Sequence, residues 1–136
     1  MRSVISSPPP ELKRILASTH LKAARESLDS MRECRNTGDV AGFFRELNLR
    51  FRGWTWHWVK CLMIENDRFI DVPKALVRRS ATLTHAPDGV STALEALFAL
   101  DLTPEGMKEA IRICHCLTED IVPSDWRTEQ PHATDE

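Results

Sequence analysis

The chain has 136 residues, 42% hydrophobic and 28% charged, which suits one domain with its own core and excludes an intrinsically disordered chain. No apolar run approaches the roughly 20 residues of a membrane span, and prolines interrupt MRSVISSPPP too early for a secretory signal, so a cytoplasmic protein away from membranes is expected. The net charge of −2 conceals an asymmetry: residues 1–79 carry 15 Lys and Arg against 9 Asp and Glu (+6), and residues 80–136 carry 3 against 11 (−8).

In chain order, residues 1–9 read as a disordered arm. A first helix starts at SPPPEL, because proline in the first turn has no N–H partner to lose. Leu21, Ala24, Leu28 and Met31 form its apolar stripe. RNTGD ends it, with Gly38 able to take the left-handed cap and Asp39 able to cap the next helix. The second helix is the longest, with Phe43, Leu47, Phe51, Trp54, Trp58 and Leu62 on one face, Gly53 as its weak point, and an end near ENDR. A short connection makes these two an antiparallel hairpin.

DVPKALVRRSATLTH reads as a third helix, with Asp71 as cap and Leu76 and Leu83 facing inward; APDG then forms a turn. STALEALFALD is a short helix with Leu94, Leu97 and Phe98 on its apolar side. LTPEGMKEAIRICHCLTEDI is the last, capped by Thr103 before Pro104, with Met107, Ile111, Cys114, Leu117 or Thr118, and Ile121 inward. No strand-like alternation occurs. The expected fold is all-α, an antiparallel bundle of four main helices plus a short fifth over residues 10–122, followed by an acidic flexible tail at 123–136.

The spacing of Cys34, Cys61, Cys114 and Cys116 matches no zinc pattern, and reduced, packed thiols are expected. His57 and Cys61 are four apart, a spacing that lets one helix face share a metal, but a third ligand is not evident and neither metal nor cofactor is expected. Cys114 belongs to the last helix's stripe and His115 borders it, a core-edge histidine. Trp56 lies off the stripe of the second helix, where an exposed indole suits a partner surface. Arg45, Arg50, Arg52, Lys60 and Arg68 lie on or beside the same helix, and arginine interleaved with aromatics suits single-stranded nucleic acid; a solvated helix face carries the same pattern.

In VRRSATLTHAPDG, Arg79 is followed by polar Ser80, with five residues before His85; Arg78 fits with six. Arg14–His20, Arg50 or Arg52–His57 and Arg127–His132 fit the same spacing, so placement late in the third helix singles out Arg79. With the long helical hairpin before it and the closing helix after it, this layout resembles the HEPN superfamily over most of residues 11–122. The family motif more often has Asn or Asp where Ser80 stands. The resemblance implies a small all-α homodimer that binds RNA or cleaves it without metal, in a toxin–antitoxin or phage-defence setting. Arg79 and His85 would be the catalytic pair, with Arg78 and Ser80 assisting and Arg45, Arg52 and Lys60 binding RNA. In such chemistry histidine moves the proton of a 2′-hydroxyl and arginine neutralises the crowded phosphate. Two alternatives stay open. One is a non-enzymatic adaptor, inhibitor or assembly subunit that binds a protein, such as an antitoxin, through the Trp56 face. The other is a purely structural role, with Arg79 paired to the acidic second half and His85 capping the third helix.

Overall fold

A computed structural model describes residues 9–34, 38–67, 80–101 and 103–128. Among the described residues the helices are α1 (Pro10–Glu33), α2 (Val40–Glu65), α3 (Val90–Phe98) and α4 (Pro104–His115). A π-turn, Cys116–Asp120, continues α4, and a 3-10 turn follows at Pro123–Asp125. Among the described residues there is no strand, only an isolated bridge between Ala86 and Arg127, so the protein is all-α as expected.

α1 opens with Pro10 in its first turn and buries Ala17, Leu21, Ala24, Leu28 and Met31, the expected stripe. Gly38 has φ +103°, and the Asp39 carboxylate accepts from the Gly42 N–H at 3.0 Å, capping α2. Contacts at three levels show that α1 and α2 run antiparallel. Lys13 Nζ meets Asp67 Oδ1 at 3.1 Å, His20 meets His57, and Arg50 Nη1 donates to the Ser30 carbonyl at 2.7 Å. Gly53 faces Ser27, whose Oγ would lie 3.2 Å from an added Cβ, so its small size serves the close approach of the two helices.

Trp54 and Trp58 are fully buried and stack with ring centroids 5.5 Å apart. Each indole N–H needs an acceptor once removed from water. The π-turn provides both: Trp54 Nε1 donates to Thr118 Oγ1 at 2.7 Å and Trp58 Nε1 to the Leu117 carbonyl at 2.9 Å. Within this wider turn Leu117 and Thr118 are both buried, and one turns its carbonyl and the next its hydroxyl to the tryptophans. Trp126 closes this layer edge-on to Trp58, with ring centroids 6.0 Å apart.

Four expectations change. Residues 71–79 of the expected third helix lie outside the described residues, and residues 81–85 are not helical, while 88–89 turn as expected. Contacts to Asn66 and Arg127 replace helical bonding at His85. The boundary at Pro123 is too early: Trp126 is 3% exposed and Arg127 is half-buried, so the core extends through them. The last helix is interrupted by the π-turn, which settles Leu117 or Thr118 by burying both. Phe98 is exposed, because it stands at the last residue of α3 beyond the buried Val90, Leu94 and Leu97. Residues 1–8 and 129–136 lie outside the described residues.

Candidate functional site

The sequence singled out two places, the His85 corner and the outer face of α2. Asn66, just past α2, grips the corner from both sides. Its Oδ1 accepts from the His85 N–H at 2.8 Å, while its Nδ2 donates to the His85 carbonyl at 2.7 Å and the Leu62 carbonyl at 2.8 Å. The His85 ring is half-buried with both nitrogens engaged: Nε2 lies 3.4 Å from Glu65 Oε1 and Nδ1 3.3 Å from the Arg127 carbonyl. Its face packs on Trp126, with centroids 5.2 Å apart. Ala86 and Arg127 exchange backbone hydrogen bonds, and the Arg127 guanidinium donates to the Leu83 and Pro87 carbonyls, each at 3.0 Å. Glu65 also borders a cavity of about 230 Å³ with Pro10, Lys13 and Arg14.

The polar groups of this corner largely hold one another, while two buried nitrogens, Trp126 Nε1 and Arg127 Nε, have no hydrogen-bond partner among the described residues. A general base needs a lone pair aimed at the substrate's proton, and both His85 nitrogens face protein oxygens instead. Ser80 is fully buried, which keeps it from a substrate in this arrangement. Arg78 and Arg79 lie outside the described residues. Sequence reasoning missed Glu65, Asn66 and Arg127 as partners of His85. The one available signal was an asparagine at the end of α2, a residue type that bonds backbone groups in turns.

The outer face of α2 is different. Arg45, Leu49, Arg52, Trp56 and Lys60 follow at steps of four, three, four and four, so they lie along one line of the helix. Arg45 and Arg52 are exposed and pair with no carboxylate among the described residues, and Leu49 and Trp56 are 57% and 59% exposed. The Lys60 ammonium sits 4.9 Å from the centre of the Trp56 ring, a cation–π contact. Among the described residues of this line there is no acid. Arg50 is set aside from it, held by Glu46 and the Ser30 carbonyl. Arg68 lies outside the described residues.

The remaining candidates are engaged within the fold. His57 turns to His20 rather than to Cys61, whose buried thiol is pushed up to about 12 by desolvation first and by Glu65 second. Burial also pushes the Cys114 thiol up, and all four cysteines are free. His115 is more exposed than a core-edge residue. It bonds Arg32, lies 3.1 Å from Glu119 and 3.0 Å from Asp120, and joins α1 to the π-turn. Hydrogen bonding to Arg32 is the main cause holding the Glu119 carboxyl below its ordinary range.

No family model matches this chain, and neither the curated proteins nor the solved structures include a significant match.

Proposed function

We propose that the protein is an RNA-binding helical module that lays a single-stranded segment along the outer face of α2. The observation that carries this reading is the line Arg45, Leu49, Arg52 and Trp56, all exposed, ending at half-buried Lys60 and free of carboxylates among the described residues. At 1.5 Å per residue the line is about 22 Å long, room for roughly four nucleotides, the lower end of single-strand site sizes. Three cations spaced along it suit phosphates, and Trp56 between Arg52 and Lys60 offers a ring on which a base can stack. The HEPN-like bundle, the homodimer and an Arg79–His85 nuclease belong to an extended form of this proposal. The engagement of His85 by Glu65 and Arg127 favours binding over cleavage.

A short single-stranded RNA, followed by fluorescence anisotropy, tests the reading. Arg52→Glu and Trp56→Ala should each weaken binding at least about tenfold without changing the unfolding midpoint, in keeping with about 1–3 kcal/mol per stacked base. With three phosphate contacts, affinity should fall about 15–20-fold between 50 and 200 mM salt. Absence of binding at about 100 µM protein, or equal binding by both variants, refutes it. The adaptor reading draws on the same Trp56 and Leu49, since exposed tryptophan and arginine are common anchors of protein interfaces. It predicts a protein partner that no longer co-purifies with Trp56→Ala, together with indifference to RNA.

A further inference from the structure

α1 and α2 meet near mid-length through two histidines. His20 Nδ1 and His57 Nδ1 lie 3.1 Å apart, with ring centroids 5.3 Å apart and planes tilted by 33°. At that distance the two nitrogens share one proton: one ring donates an N–H, and the other must present a lone pair. A proton on both nitrogens replaces the hydrogen bond with two N–H groups pointing at each other and two like charges in contact.

We propose that the His20–His57 pair is a proton-sensitive clasp, closing the α1–α2 hairpin while the two rings share a proton and releasing it when both are charged. The surroundings add to the sensitivity. Lys60 on α2 contributes a third positive charge felt by His20. His57 borders a cavity of about 380 Å³ whose charged lining is Glu26 from α1 and Arg50 from α2. Arg50 is committed to Glu46 and the Ser30 carbonyl, so Glu26 is the one carboxylate of that lining available to offset charge on His57. One acid against two added protons and Lys60 leaves the charged clasp repulsive.

Burial first, then His57, then Lys60 hold the His20 imidazole below its ordinary range. Unfolded, His20 takes up its proton near the usual value of about 6.5; folded, it resists until a lower pH. Between those two values the unfolded chain binds more protons. The stabilisation from the clasp is therefore complete above about pH 6.5 and is lost as pH falls through the depressed folded value. The clasp stands independently of the RNA reading, because it rests on the hairpin alone.

The test compares full-length wild type with His57→Gln and Lys60→Met by urea unfolding from pH 7.5 to 5.0 and by NMR titration of the His20 ring. Wild type should lose at least roughly threefold more in its folding equilibrium constant over this range than His57→Gln. The titration midpoint of His20 should rise in both variants, since each removes a positive neighbour. Lys60→Met keeps the hydrogen bond and covers the case in which His57→Gln fails to fold. Parallel loss of stability in wild type and His57→Gln, or a His20 midpoint unmoved by either substitution, overturns the clasp.

Discussion

Thr118 shows how much a single buried hydroxyl can decide. It is fully buried and accepts the indole N–H of Trp54, itself fully buried. Thr118→Val keeps the shape and removes the acceptor, leaving the indole donor without its partner in a dry core. Such an orphan costs about 1–3 kcal/mol. The unfolding midpoint in urea should fall accordingly, and a double-mutant cycle with Trp54→Phe should show that most of the loss belongs to the pair. His85 teaches the complementary lesson. A histidine at a suggestive spacing after an arginine proves to be held on its backbone, its ring face and both ring nitrogens. Spacing placed His85 as a candidate; the acceptors around it could not be foreseen, because Glu65, Asn66 and Arg127 come from distant parts of the chain.

At the scale of elements, helices with strong local signals follow the sequence closely. α1 buries the stripe its periodicity marks, α2 buries Leu47, Trp54, Trp58 and Leu62 of its own with Phe43 and Phe51 partly buried, and Asp39 and Thr103 cap as their positions suggest. The start of α4 is tighter than its pattern indicates. Thr103 Oγ1 accepts from the Gly106 N–H at 3.0 Å, and an added Cβ on Gly106 would clash with the Asp101 backbone carbonyl. Gly106→Ala should therefore destabilise by about 1–3 kcal/mol, the cost of overpacking, despite alanine's better helix propensity. Thermal unfolding checks this; a rise in melting temperature would show that the turn before α4 yields. The π-turn left no trace in the periodicity, since its extra residue answers to the tryptophans of another helix. The stretch 81–85 failed as a helix for the same reason: its partners, Asn66 and Arg127, are far off in sequence.

Across the whole molecule, the charge asymmetry is neutralised in few places. Among the described residues, Arg32–Glu119 at 3.2 Å is the one Lys or Arg to carboxylate pair joining the basic first part to the acidic second. The other such pairs are Lys13–Asp67, from α1 to the segment just past α2, the local Arg32–Asp29, Arg50–Glu46 and Arg112–Glu109, and Arg127–Asp88 within the acidic second part. The cations on the outer face of α2 therefore stay available, and the RNA proposal belongs at this scale. Closure of the core belongs here too. Trp126 packs against Trp58 and His85 from a segment whose composition suggested a loose tail. Trp126→Ala should cost about 3–5 kcal/mol in chemical unfolding, as for other buried aromatics, whereas a loose tail would leave the midpoint unchanged.

The sequence by itself determined the all-α class, the extent of the hairpin helices, the Asp39 cap and most of the buried stripes. These depend on a 3.6-residue period and on hydrogen bonds made within a few residues, both readable along the chain. The cap expected at Gly38 falls instead at Cys34, where α1 ends. Only the tertiary structure decided that His85 is engaged, that Trp126 belongs to the core, and that Arg45 and Arg52 pair with no carboxylate among the described residues. Each of those outcomes depends on which distant surfaces come together. Burial and hydrogen bonding across such contacts override local preference, and the spacing of residues along the chain carries no record of them.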